Sequence, residues 1–126
     1  MTSEINKIVL KAEEFFVDAE YLFNGKRYEA VVNRCYYAMF TMVQALLLSK
    51  NIFTKTHMGT MMKFHEIFIK TELLPVESGK ILNETFEKRQ FGDYDVDADI
   101  SETDALKVLE NTKIFMDKLK TYLKSN

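Results

Sequence analysis

Arg89 opens the stretch RQFGDYDVDADIS, residues 89–101, in which four aspartates, Asp93, Asp95, Asp97 and Asp99, fall at every second position. Such residue types suit a carboxylate-bound cation, an acid–base edge, or an arginine paired with an anion. The cation reading begins from spacing, because Asp104 lies eleven residues after Asp93, where a calcium-binding loop places its closing acid. Ala98 occupies the sixth position, where that loop turns sharply on a glycine, and the closing acid is the short aspartate rather than a glutamate. The stretch therefore reads as a solvated acidic connection, with Tyr94, Val96, Ala98 and Ile100 alternating against the protein, and no metal site is expected.

Arginine is the next group with chemistry to offer. Arg89 follows Leu82 by seven residues and Phe86 by three, so it belongs on or beside the buried face of its helix. Arg34 borders a polar stripe formed by Asn33, Tyr37, Thr41 and Gln44, which step by four, four and three along an otherwise apolar helix. A guanidinium at a buried edge needs a partner. One reading is a structural lock with Asp93. The other is a phosphate- or nucleotide-binding set of Arg34, Tyr37 and Arg89, because a planar fork of donors matches phosphate oxygens. His57 and His65 stand eight apart and do not form a metal-binding pair of the i, i+4 type, and Cys35 reads as a small buried hydrophobe rather than a nucleophile. No cofactor is expected, since the chain has no glycine-rich phosphate loop, no GxSxG elbow and no dinucleotide fingerprint.

The elements that must position these residues are helical. One proline and four glycines in 126 residues leave few interruptions, and 47% hydrophobic with 29% charged residues suits a single folded domain over 1–126. Ile8, Ala12, Phe15, Ala19 and Phe23 mark a helix over about 4–23, with Ser3 as N-cap and Asn24-Gly25 as stop. A nearly all-apolar helix spans Tyr28 to Ser49 and should form the centre. A third starts at Thr56, and a fourth follows Leu74-Pro75 and runs to Phe91, with Gly92 as its stop. A fifth opens on Ser101-Glu-Thr-Asp104 in the manner of a capping box. The expected architecture is an all-α, up-and-down bundle of about five helices.

A formal net charge of −2 with scattered basic residues excludes a dedicated duplex-DNA binder. A single cysteine precludes an internal disulfide, and neither a signal-peptide core nor a membrane span is expected, which suits a cytoplasmic protein.

The ordered succession of NRCYYAMF, KTHMG, the Leu74-Pro75 break and RxxxDY from Arg89 resembles the HEPN family, the higher-eukaryote and prokaryote nucleotide-binding domains, and its small stand-alone prokaryotic branch in particular. The resemblance covers nearly the whole chain. It implies a helical bundle, often a homodimer, encoded beside a minimal nucleotidyltransferase as a toxin–antitoxin-like pair, with nucleotide or RNA as ligand. Many members of the wider family are metal-independent ribonucleases whose motif is an arginine followed after a few residues by a histidine. Arg89 matches that arginine. The histidine does not carry over, because Gly92, Asp93, Tyr94 and Asp95 stand where it belongs. Two expectations result: a phosphate-binding module paired with a nucleotidyltransferase, or a ribonuclease toxin in which Asp93, Tyr94 or His57 assists Arg89.

Overall fold

In a computed structural model, residues 2–94 and 99–125 are described, without the side chains of Asp93 and Tyr94. The chain forms α1 (Ser3–Asn24), α2 (Tyr28–Ser49), α3 (His57–Phe64), α4 (Val76–Tyr94) and α5 (Glu102–Ser125), with α3 running on into a π-helical turn at His65–Ile69. Among the described residues there is no strand, and the all-α bundle expected from the sequence is what forms.

The apolar composition of α2 decides the architecture. With hydrophobic residues on nearly every side, it can be satisfied only by being surrounded, and it packs against α1, α3, α4 and α5. Length and apolar character alone would let α2 cross a membrane, but most of its residues are buried by those neighbours, as in the core helix of a bundle. The larger core gathers Met39, Met42 and Leu46 of α2 with Phe64, Phe68, Leu82, Phe115 and Leu119. A smaller one, at the α2 N-terminal end, joins Val31, Val32 and Cys35 to Ala19, Ala105, Val108 and Ile100.

Local signals account for several helix ends. Thr56 Oγ1 accepts from Gly59 N at 2.9 Å, the N-cap expected for α3. At α5, Ser101 Oγ accepts from Asp104 N at 3.1 Å while Ser101 N donates to Asp104 Oδ2 at 3.3 Å, a reciprocal capping box. That engagement with Ser101 holds the Asp104 carboxyl below the usual carboxylate range. Asp104 is thus committed to a helix start rather than to closing a metal loop.

Two expectations about helix ends are corrected, and a third is met in an unexpected way. The N-cap of α1 is Thr2, whose hydroxyl accepts from Ile5 N at 3.1 Å, rather than Ser3, which lies inside the helix. α1 does stop at Asn24-Gly25, with Gly25 as C-cap, but Gly25 keeps φ −84° and the left-handed residue is Lys26, with φ 61°. Lys26 N bonds Phe23 O at 3.0 Å and Arg27 N reaches back to Leu22 O at 2.9 Å, the paired bonds of a Schellman end. Gly92 does not stop α4, which continues to Tyr94. What Gly92 supplies is room, because a Cβ there would stand 3.2 Å from Glu29 Oε1 and 3.3 Å from Glu29 Cγ. The glycine lets the first turn of α2 lie close against α4.

Candidate active site on an aromatic platform between α2 and α4

Helical spacing on α2 places Tyr36, Tyr37 and Phe40 together on the flank facing α4 and the start of α3, because 36 and 40 are one turn apart and 37 is adjacent. Tyr36 is fully buried, Phe40 is buried, and Tyr37 is half-buried. The Tyr36 and Tyr37 rings meet edge to face at 5.4 Å, and Phe86 of α4 lies 5.6 Å from Tyr36. Together these rings make a platform at the seam between the helices.

Arg89 lies on it. Its Cζ is 5.1 Å from the Tyr36 ring centroid and 5.2 Å from that of Tyr37, and Nη2 donates to the Tyr37 hydroxyl at 3.2 Å. Arg89 sits one turn beyond Phe86 on the same face of α4, so the sequence expectation that it leans on the buried face is met. Two aromatic faces and one hydroxyl contact the guanidinium, at about 0.5–2 kcal/mol for each cation–π contact. Asp93, the expected lock partner, and Tyr94 have side chains outside the described residues, as do Asp95 and Asp97 of the aspartate ladder.

Arg34 departs from expectation. It is exposed rather than inward-leaning, and its Cζ lies 5.8 Å from the ring of Phe15 on α1. Phe15 in turn stands 5.9 Å from Tyr37, so Arg34 flanks the platform at one ring's remove from Arg89. The polar stripe of α2 is accordingly not buried throughout. Asn33 and Tyr37 are half-buried, Thr41 is buried, and Gln44 reaches solvent. The stripe marks the edge of α2 that its partners leave partly open.

The two histidines take different places. His65 is fixed in the α3–α4 packing, with Nε2 3.1 Å from Asn83 Oδ1 and its ring against Gly79, where a Cβ would come within 2.8 Å of His65 Cε1. His57, at the first turn of α3, comes to the platform. Its ring stacks on Phe40 at 4.2 Å and 25°, and its Nδ1 is 3.3 Å from the Tyr36 hydroxyl. Burial raises the Tyr36 phenol from 10.0 to about 12 against the opposing charge of Arg89, so the hydroxyl keeps its proton. Tyr36 is the residue that sequence reasoning missed. Consecutive aromatic residues in NRCYYAMF were the available signal, but only the packing of α3 and α4 on α2 shows that its ring and hydroxyl serve different partners.

Cys35, on the opposite side of α2, is buried in the smaller core, and desolvation pushes its thiol up to about 12. That agrees with a packing role. Among the described residues there is no group of three or more histidine, cysteine, aspartate or glutamate side chains able to hold a metal ion. The platform brings together a guanidinium bonded to one phenol hydroxyl, that of Tyr37, and an imidazole within reach of another, that of Tyr36. A cation and N–H or O–H donors so arranged suit an anion.

Comparison with known proteins bears on the family. The HEPN domain model matches residues 5–122. A Methanocaldococcus jannaschii protein named "Putative toxin MJ0142" is 41% identical over 120 residues, 95% of this chain and 82% of that protein. A second from the same organism, "Putative toxin MJ0605", is 33% identical, covering 96% of this chain and 90% of its own length. A "UPF0332 protein" of Archaeoglobus fulgidus is 32% identical over 98% of each chain.

Proposed function

The chain belongs to the HEPN domain family, and from that premise we propose that it is a toxin-class HEPN module that engages the phosphate groups of RNA or of a nucleotide through Arg89. The observation that carries this reading is the Arg89 guanidinium lying over two tyrosine rings and donating to the Tyr37 hydroxyl at 3.2 Å. That contact and the two aromatic faces hold a delocalised, planar cation in one orientation at the seam of α2 and α4, and a planar guanidinium matches the geometry of phosphate oxygens. Tyr37 orients the group, and Arg34 adds positive charge one ring away to attract a polyanion. The working unit is a homodimer with a minimal nucleotidyltransferase as partner, the arrangement that the family resemblance implies.

The test is titration of a fluorescein-labelled single-stranded oligoribonucleotide, and of AMP in competition, in buffer containing EDTA. Binding by the wild type that falls at least tenfold in Arg89→Ala, with helicity unchanged by circular dichroism, supports the reading. Failure of the wild type to bind either probe refutes it.

A second reading, metal-independent RNA cleavage, is favoured by one observation: the fold brings His57 to the platform that carries Arg89. Gel analysis of the same EDTA mixtures decides it, since cleavage lost in Arg89→Ala makes the protein a ribonuclease and intact RNA leaves it a binding module.

A further inference from the structure

The hydrogen bond between Tyr36 and His57 fixes more than their proximity. Tyr36 is fully buried, and a buried hydroxyl that keeps its hydrogen must donate it. His57 Nδ1 lies 3.3 Å from that oxygen. When the phenol donates, Nδ1 is the bare, accepting nitrogen, and the hydrogen of a neutral imidazole is placed on Nε2. The Phe40 ring, stacked at 4.2 Å, holds the plane of the imidazole. His57 is itself exposed, although its Nδ1 is turned to the buried hydroxyl. Tyr36 thus acts on two groups at once: its ring face carries Arg89 at 5.1 Å, and its hydroxyl sets the tautomer of His57, whose ring centre is 6.2 Å from its own.

We propose that His57 is a second phosphate-binding residue of this site, presenting Nε2–H as a donor on the same tyrosine pair that carries the Arg89 guanidinium, with Tyr36 as the positioning residue that holds it in that tautomer. The ligand is a phosphate carried by single-stranded RNA or by a free nucleotide, so the inference rests on the phosphate reading of Arg89. In this arrangement the histidine comes from the start of α3, 32 residues before Arg89 in the chain, and both side chains meet the Tyr36–Tyr37 pair only through the tertiary packing of three helices.

The experiment uses the full chain with three probes in EDTA: a fluorescein-labelled oligouridylate, AMP, and inorganic phosphate. His57→Phe keeps a ring to stack on Phe40 and removes the donor, and is expected to weaken binding about tenfold, the worth of one hydrogen bond to a charged acceptor. His57→Gln restores an N–H group and should recover most of that loss. Nitrogen-15 spectra of the imidazole should show a bare Nδ1 and a protonated Nε2 in the neutral wild-type ring, and a mixture of tautomers in Tyr36→Phe. Binding of the oligouridylate without AMP or phosphate assigns the site to an RNA backbone, and binding of AMP assigns it to nucleotides. Undiminished binding by His57→Phe while Arg89→Ala loses it overturns the role of His57 and leaves that of Arg89 standing, as does a bare Nε2 in the wild type. No binding of any probe by the wild type overturns both.

Discussion

Replacing Tyr36 by phenylalanine isolates the buried hydroxyl on which the geometry of the platform depends. The substitution keeps the ring under Arg89 and beside Tyr37 and Phe86, and deletes only the oxygen 3.3 Å from His57 Nδ1. At pH 7 the loss of one such hydrogen bond destabilises the fold by about 1 kcal/mol. The pH dependence has the opposite sign. Burial raises the folded phenol from 10.0 to about 12, so below pH 10 both folded and unfolded chains keep this proton and stability is unaffected. Between pH 10 and 12 the unfolded chain gives it up while the folded one does not, and wild-type stability falls by about 1.4 kcal/mol per pH unit. Tyr36→Phe lacks that loss. The variant should therefore be less stable by about 1 kcal/mol at pH 7, match the wild type between pH 10 and 11, and be slightly the more stable at pH 11, where the ionisation loss amounts to about 1.4 kcal/mol. Urea denaturation of both proteins at pH 7, 9, 10 and 11, followed by circular dichroism, measures the difference directly, and the other titrating groups cancel between them. A stability difference that stays constant from pH 7 to 11 would refute the buried, proton-retaining hydroxyl.

The capping box at α5 makes Ser101→Ala cost about 1 kcal/mol, seen as a fall of about 4 °C in Tm. Lys26→Gly should raise stability by about 0.5 kcal/mol in chemical denaturation, because glycine accepts the left-handed backbone at φ 61° that lysine adopts at a cost. Cys35, buried with its thiol pushed up to about 12, should not react with a disulfide reagent at pH 8 in the native protein and should react fully once the chain is unfolded in urea.

Where the determinants are local, the sequence carried the structure. The limits of α2, Tyr28 to Ser49, follow from one predominantly apolar stretch, and the caps at Thr56 and Ser101 from side chains within three residues of the groups they bond. Thr2 rather than Ser3 caps α1 because two adjacent hydroxyl residues offer the same chemistry and the pattern alone does not choose. Gly92 read as a stop because helix ends often use glycine, yet here its missing side chain answers a neighbour, Glu29, that is distant in sequence. The π-helical turn at His65–Ile69 has no signature in the apolar spacing.

The candidate site divides along the same line. Arg89 was legible from its spacing to Leu82 and Phe86 on one helix. Arg34 was misplaced because a residue bordering a polar stripe can turn either way, and packing on Phe15 keeps it exposed. His57 and Tyr36 stand 21 residues apart and meet only because the 49–56 connection folds α3 back onto α2, a long-range event that no periodicity encodes.

The most direct measurement of the central claim is a crystal structure of the protein with a short single-stranded oligoribonucleotide bound. A phosphate oxygen about 3 Å from the Arg89 guanidinium, with the tyrosine platform in place beneath it, is the result predicted. RNA bound elsewhere on the surface, with Arg89 touching no phosphate, would contradict the claim.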